Sequence, residues 1–414
     1  MEKRVKKLFA VSPLIILLCL CFISCSRTQD NGLLEYGKPQ DVGMSDVQLE
    51  KAVSLFKTAV EENRITGVQL LVARHGKVVV HEGIGYRDLQ NHLPMEKNSH
   101  VRMASITKTV VASGVLKLAE EGLLDLEDPI SKYIHGFDKG LSSRIQIKHL
   151  LTHTAGFEYT YYNFVDNEVT YTANEFYNAP SLSMEAYKIG LEGPQNEPGK
   201  KSIYSNFAYT VLGSLIEIVS GQKLDEFHQQ RFYDPLGMND TSHKIYGKDP
   251  SKISINYQKV KGEWEVLPPE SPPFARSTGG LVTTSWDFAK FCQMYLNDGV
   301  YDNRQILTPE SVKKATSPLV EAPYQYMYPE VMIRDEVIPN WYCSRDKRDL
   351  GLDLARGMVW VVSIDGSFSH AGFRGTFAYV NPKLDLIILI LAQSRVGGTP
   401  GQEFIEAVEA SVVE

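Results

Sequence analysis

Runs typical of β-strands lie near both ends of this chain, and helical patterns fill the stretch between them. Near the start, the apolar runs 68–73 and 78–84 are separated by His75-Gly76-Lys77, which predicts a β-hairpin. Three β-branched or aromatic runs lie near the other end, at 358–364, 376–380 and 386–391. This arrangement predicts an α+β fold, in which one antiparallel sheet is built from both termini and flanked by helices.

The predicted domain spans residues 41–414 and divides into two lobes. Residues 105–274 are rich in loops, tyrosine, asparagine and proline, and we expect them to form a mostly helical middle lobe. Residues 41–104 and 275–414 would together form the sheet lobe.

Helical periodicity marks five segments of this domain. Ser45 is of the residue type that caps a helix N-terminus, and it precedes an amphipathic stretch that ends near Asn63. The other helices are expected at about 105–121, at 207–220, after Trp286 and at about 402–413.

The charge of the chain argues against nucleic acid as a partner. There are 43 basic and 50 acidic residues, whereas phosphate binding needs clustered positive charge. No Gly-Lys-Ser/Thr phosphate loop and no His-Glu-x-x-His zinc helix is present, so no cofactor is expected. His149 and His153 are four residues apart, but no carboxylate partner is evident. A structural role is therefore favoured over a metal site.

The first 24 residues have the pattern of an export signal. A mostly basic start is followed by the apolar run 14–23, shorter than the ~20 residues needed to cross a bilayer. Ser24-Cys25 then resembles the end of a bacterial lipoprotein signal, although Phe22 departs from the usual leucine. The resemblance implies a lipid on Cys25, residues 25–40 as a tether, and membrane attachment in the bacterial cell envelope, on its periplasmic or surface side. An ordinary cleaved signal and an uncleaved anchor are the alternatives.

Two cysteines, Cys292 and Cys343, lie outside this leader. Two cysteines far apart in sequence form neither a disulfide framework nor a zinc site, and whether they pair is left open. Cys292 falls in a helical pattern, which indicates a small buried apolar residue.

The first candidate for chemistry is a serine with a lysine three residues later. The Ser-x-x-Lys pattern starts at five positions: Ser54, Ser105, Ser220, Ser311 and Ser344. Only Ser105 stands where an apolar helix begins, and positions three apart on a helix share a face, so Lys108 can reach its hydroxyl. A desolvated lysine can act as a base towards such a serine. Ser105 could equally be a simple N-cap, and the motif alone does not decide.

Two further motifs follow along the chain. Tyr204-Ser205-Asn206 follows Pro198-Gly199 and precedes an apolar helix; its phenol could lose a proton more readily near a cationic lysine, or could simply pack. His370-Ala371-Gly372 lies between two predicted strands, where Gly372 would let a substrate approach the backbone closely.

The order Ser-x-x-Lys, Tyr-x-Asn, His-x-Gly resembles the class C β-lactamases and their relatives, the D-Ala-D-Ala carboxypeptidases, D-aminopeptidases and family VIII esterases. The similarity runs from about residue 40 to the end of the chain. Three further segments that match the family lie at 150–156, 234–238 and 277–281. The resemblance implies the two-lobed fold of that group and a serine hydrolase acting on a small-molecule or peptide substrate.

The resemblance also implies a role for each matching residue. Ser105 would be acylated, and Lys108 and Tyr204 would together move its proton. Asn206, His370 and Gly372 would bind the substrate. The backbone N–H groups of Ser105 and Phe373 would form an oxyanion hole.

One departure from the family pattern bears on the substrate. The third lactamase motif is usually Lys-Thr/Ser-Gly, whereas Ala371 lacks a hydroxyl and His370 is a poorer fixed cation than lysine. Both changes favour an ester or a small amide or peptide substrate. The alternatives are a β-lactamase or D-Ala-D-Ala carboxypeptidase acting on cell-wall peptides, and a catalytically silent penicillin- or peptidoglycan-binding protein. The sequence leaves the oligomeric state open.

Overall fold

The computed structural model describes residues 32–157, 163–165, 168–170, 179–268, 273–321, 355–394 and 399–413. The predicted signal peptide, Cys25 and Cys343 lie outside these ranges. Within them, no helix combines the length and the apolar character that crossing a membrane requires.

The helices are α1 Asp46–Glu61, α2 Thr107–Glu120, α3 Ile147–Leu151, α4 Leu182–Glu192, α5 Asn206–Ser220, α6 Leu224–His228, α7 Asp234–Leu236, α8 Ser285–Leu296, α9 Pro309–Thr316 and α10 Gly401–Ala410.

The strands are β1 Glu35–Tyr36, β2 Gly67–Arg74, β3 Lys77–Asp88, β4 Leu93–Pro94, β5 Val101–Arg102, β6 Asn163–Val165, β7 Glu168–Thr170, β8 Tyr257–Val260, β9 Glu263–Val266, β10 Val282–Thr283, β11 Val300–Tyr301, β12 Arg304–Gln305, β13 Val320–Glu321, β14 Ala355–Arg356, β15 Val361–Val362, β16 Phe368–Gly372, β17 Thr376–Asn381 and β18 Leu386–Ala392.

The main sheet joins the two ends of the chain, as the strand patterns predicted. Among the described residues its order is β1-β3-β2-β18-β17-β16-β15-β14-β13, with β4 beside β3. The connection between the ends is the antiparallel pair β2 and β18, in which Leu71 lies opposite Leu389. The β2–β3 hairpin turns at His75 and Gly76, both with positive φ, which the two-residue turns of hairpins require. The predicted α+β fold is confirmed.

Each face of the sheet is covered by a different set of helices. One apolar cluster contains Leu389 of β18 together with residues of α2, α5 and α8. The other contains Ile388 of β18 together with residues of α1 and α10. Neighbouring residues of a strand point to opposite faces, so β18, which is buried along its whole length, contributes to both clusters.

Several helix boundaries follow from the residues that were identified by sequence. The Ser45 side chain accepts a hydrogen bond from the backbone N–H of Gln48 and so caps α1, as expected. Cys292 is buried within α8, also as expected. The chain additionally forms α4, which sequence reasoning did not identify; its N-terminus is capped by Ser181.

Two expectations were wrong in detail. The predicted tether extends to residue 40, but Glu35–Tyr36 already pairs with β3 in the sheet, so the fold begins earlier. The predicted strand 358–364 forms only over Val361–Val362, and Ala355–Arg356 before it supplies the next strand of the sheet. Two short strands therefore replace one long strand at this point of the sheet.

Candidate active site

Ser105 lies in a single 3-10 turn, Ala104–Ile106, between β5 and α2. The N-cap positions of this turn and of α2 belong to Met103 and Ile106, so the interpretation of Ser105 as an N-cap is wrong. Ala104 before it has a φ of 46°, an uncommon conformation for a residue with a side chain. The turn itself is held from two sides. Met103 N donates to Leu281 O at 2.9 Å, and Thr376 Oγ1 donates to Met103 O at 3.0 Å.

The Lys108 amine reaches Ser105, as the spacing predicted. Lys108 Nζ is 3.1 Å from Ser105 Oγ and donates a hydrogen bond to the carbonyl oxygen of Thr278 at 2.8 Å. The side chain is completely buried, and this burial, aided by the Arg356 guanidinium, holds the pKa of the amine well below its ordinary value. A neutral amine within hydrogen-bond distance of a serine hydroxyl has a lone pair that can accept the hydroxyl proton.

The loop that supplies the Thr278 carbonyl is fixed by a buried ion pair. Arg276 Nη1 lies 3.1 and 3.0 Å from the two carboxylate oxygens of Glu185, whose side chain is fully buried. At the other end of the loop, Leu281 N donates to Thr107 Oγ1 at 3.0 Å. The segment 277–281, which the sequence analysis identified, thus holds in place the Thr278 carbonyl that accepts a hydrogen bond from the Lys108 amine.

Tyr204, which lies just before α5, approaches the same serine. Its phenol is hydrogen-bonded to the Ser105 side chain, and its ring centroid lies 5.0 Å from Lys108 Nζ. Burial raises the pKa of the phenol to about 12, and this effect exceeds the lowering by the Ser105 hydrogen bond and by Arg356. The sequence argument expected a phenol that loses its proton easily, and burial reverses that expectation. Asn206, the first residue of α5, is also buried.

The third motif, residues 370–372, lies on β16, on the side of the site that the sheet forms. His370 is buried, its Nδ1–H donates to the Ala371 carbonyl at 2.8 Å, and burial lowers its pKa to about 3, with smaller effects of Lys108 and Arg356. Strand β15 pairs only with Phe368 and Ser369, so the ladder on that side of β16 ends before His370. The substrate contacts of His370 and Gly372, and the oxyanion role of Phe373, remain predictions.

Ala371 and Gly372 have packing roles that sequence reasoning did not anticipate. Ala371 packs in the apolar cluster beneath α1 and α10, whereas Ala378, opposite His370, belongs to the cluster of the other face. The absent hydroxyl at position 371 is therefore a weaker argument about the substrate than the sequence suggested. A Cβ on Gly372 would lie 2.5 Å from Met103 O, so the glycine admits the turn that carries Ser105.

Arg356 on β14 was missed by sequence reasoning. It is 3% exposed, and its Cζ lies 5.5 Å from the centroid of the Tyr204 ring. Its charge lowers the pKa values of Lys108, His153 and His370. Within the described ranges, its Nε and Nη2 have no hydrogen-bond partner. No carboxylate in those ranges forms an ion pair with it. No motif surrounds this arginine in the sequence, so only its position in the sheet reveals it.

The two histidines that the sequence weighed as metal ligands have different surroundings. His149 Nδ1 accepts a hydrogen bond from Gln146 N at 3.2 Å. The ring of His153 stacks on Tyr204, with centroids 4.7 Å apart. Among the residues that the structure describes, no three histidines, cysteines or carboxylates are grouped as metal ligands would be.

Gly372→Ala should destabilise the protein, because its methyl group would collide with the backbone that carries Ser105. Forcing extra volume into a packed site costs about 1–3 kcal/mol of unfolding free energy, which urea denaturation measures. The matched control is Gly279→Ala, whose Cβ would be no closer than 3.6 Å to its neighbour Ala104 and should be close to neutral. Equal unfolding free energies for the two variants would contradict this role of Gly372.

Comparison with known proteins gives the family of the chain. The family model described as Beta-lactamase matches residues 52–410. Protein Rv1367c of Mycobacterium tuberculosis is 27% identical over 362 residues, which are 80% of this chain and 86% of that protein.

Solved structures agree with the fold. EstCE1, described as a hydrolase with promiscuous acyltransferase activity, superposes with a TM-score of 0.71 at 20% identity, over 89% of this chain and 99% of EstCE1. The octameric penicillin-binding protein homologue of Pyrococcus abyssi superposes with a TM-score of 0.67 at 23% identity, over 88% of this chain and 76% of that one. Because the family model covers most of its length, the chain belongs to the beta-lactamase family of serine hydrolases.

Proposed function

We propose that this protein cleaves ester or amide bonds through an acyl-enzyme formed on Ser105. The observation that carries the proposal is the buried amine of Lys108, which lies 3.1 Å from Ser105 Oγ. A lysine kept neutral by burial can take the serine proton as the oxygen attacks the substrate carbonyl. Its hydrogen bond to the Thr278 carbonyl directs one N–H away from the serine and leaves the lone pair for that proton.

The protons then move between three side chains. Ser105 Oγ bonds to the carbonyl carbon while its proton passes to Lys108 Nζ, and the carbonyl oxygen becomes an oxyanion facing the N–H groups of Ser105 and Phe373. When the tetrahedral intermediate collapses, the bond to the leaving group breaks. The leaving group takes a proton from the Tyr204 phenol, and Lys108 then returns a proton to the phenolate oxygen. In the second half-reaction a water molecule attacks the acyl carbon and loses its proton to the same pair. The bond between the acyl carbon and Ser105 Oγ then breaks, the carboxylic acid leaves, and Ser105 Oγ takes a proton back from the pair.

Ser105→Ala should abolish hydrolysis of a chromogenic short-chain acetate ester, because no acyl-enzyme can form. We expect a loss of ~10³-fold or more in kcat/KM, with an unchanged thermal unfolding midpoint. The matched control is Ser54→Ala, which removes the serine of another Ser-x-x-Lys pattern; Ser54 lies on α1, and its hydroxyl donates to the Lys51 carbonyl. Near wild-type turnover by Ser105→Ala would contradict the proposal. A wild-type protein that binds ligands without any turnover would instead favour the catalytically silent binder.

Arg356 favours a second candidate function, the cleavage of substrates that carry a carboxylate, such as cell-wall peptides ending in D-Ala-D-Ala or β-lactams. Among the residues that the structure describes, no carboxylate neutralises this guanidinium; burying an unpaired charge is costly, and a substrate carboxylate would compensate it. Arginine suits this role because its planar fork can bind both carboxylate oxygens. Arg356 also supplies the fixed cation that His370 does not provide, since burial keeps that histidine neutral.

Arg356→Met should therefore impair anionic substrates selectively. A matched pair of chromogenic esters, the acetate and the hemisuccinate, differs mainly in one carboxylate. A hydrogen bond to a charged group contributes about 1.5–3 kcal/mol, so kcat/KM for the anionic substrate should fall about 10- to 150-fold more than for the neutral one. A D-Ala-D-Ala peptide should follow the anionic ester, and Arg356→Lys should lie between wild type and Arg356→Met. Equal losses for both esters would assign Arg356 to the tuning of Lys108 and remove the support for carboxylate substrates.

We further propose that the protein is exported and anchored to a bacterial membrane through lipid on Cys25, which the leader pattern supports. Cys25→Ala should release the protein into the soluble fraction or stop its processing. Cys21→Ala, a cysteine within the apolar run, is the matched control and should leave anchoring unchanged. A mature N-terminus at another residue, determined by mass spectrometry, would remove the lipid anchor from the proposal.

A further inference from the structure

His153 is a buried titratable residue that the proton transfers above do not use. It follows Thr152, the C-cap residue of α3; it is 1% exposed, and its backbone has a φ of 56°. Burial, with smaller effects of Arg356, Lys108 and His370, holds the pKa of its imidazole well below the ordinary value, so the ring is neutral. A neutral histidine has one ring nitrogen that accepts a hydrogen bond and one that donates.

The ring of His153 contacts the tyrosine segment in two ways. Its Nδ1 accepts a hydrogen bond from the backbone N–H of Ser205 at 3.0 Å, immediately after Tyr204. Its face stacks on the Tyr204 ring at 4.7 Å between centroids and an interplanar angle of 26°. The ring also lies 5.0 Å from that of Tyr209, in the first turn of α5.

The backbone around His153 supports the same segment. Ile203 N donates to the His153 carbonyl at 2.8 Å, and Gly199 N donates to the Thr154 carbonyl at 2.7 Å. The residues that lead to Tyr204 are therefore aligned along 152–154 before α5 begins. Tyr204 itself precedes the helix, so regular helical hydrogen bonds do not fix its position.

We propose that His153 is a positioning residue for Tyr204, which aligns its phenol with Ser105 through the Ser205 hydrogen bond and the ring stack. This inference rests on the proposed acyl-enzyme function. The imidazole forms no bond with the substrate; it limits the orientations of the tyrosine. Misplacing a reacting group by about 1 Å can cost ~10²-fold in rate.

Two substitutions of His153 each remove one of its two contacts with the tyrosine segment and can keep the other. His153→Asn can keep an acceptor close to the position of Nδ1 but removes the ring, and asparagine tolerates positive φ. His153→Phe keeps a ring for stacking but leaves the buried Ser205 N–H without its acceptor. Each variant should lower kcat for the chromogenic acetate ester about 10- to 100-fold with little change in KM. The matched control is His149→Asn, four residues earlier, which should leave kcat unchanged.

A double-mutant cycle with Tyr204→Phe distinguishes positioning from a general loss of stability. If His153 acts through the Tyr204 phenol, its substitution in the Tyr204→Phe background should change the rate less than about twofold. The rate of Ser105 labelling by a fluorophosphonate probe is the second readout and should show the same pattern. Thermal unfolding midpoints identify any variant that fails to fold. If one of the two His153 variants does not fold, the cycle is completed with the other His153 variant.

Unchanged kcat in both His153 variants, or equal losses with and without the Tyr204 hydroxyl, would overturn the positioning role while the acyl-enzyme proposal stands. A wild-type protein whose Ser105 is neither labelled nor acylated would overturn both.

Discussion

The burial of the Lys108 amine beside Ser105 is the interaction on which the rest of the site depends. An ammonium group without solvent is costly, so burial holds the pKa of this lysine well below its ordinary value. The amine lies within hydrogen-bond distance of two groups, the Thr278 carbonyl and the Ser105 hydroxyl. The Glu185–Arg276 ion pair, buried nearby, fixes the loop that carries this carbonyl.

The sheet is what brings these groups together from distant parts of the chain. Strand β18 lies between β2 and β17 and so joins the two ends of the chain. Thr376 on β17 then binds the carbonyl of Met103, and Gly372 leaves room for the turn that carries the serine. Tyr204 reaches the site from the segment just before α5. Its position depends on contacts with residues near His153, because the phenol lies outside the regular helix.

Much of this was predictable from local patterns. The β2–β3 hairpin, the pair β17–β18 and the reach of Lys108 to Ser105 follow from alternation, turn residues and helical spacing. Arg356 was not predictable, because its importance comes from the strand that carries it into the site and not from any neighbour in sequence. The face of the sheet on which the Ala371 side chain lies depends on the strand register, and the raised pKa of Tyr204 depends on burial. Both are tertiary effects that local sequence patterns do not encode.

The central claim is that a neutral Lys108 activates Ser105, and the pH dependence of acylation tests it most directly. The burst rate with a chromogenic ester would be measured by stopped flow across pH, and peptide mapping would locate the acyl group. We predict that the adduct lies on Ser105 and that the rate rises with pH and levels off well below the ordinary lysine pKa of 10.5. A rate that keeps rising through that value, or an adduct on another residue, would contradict the account.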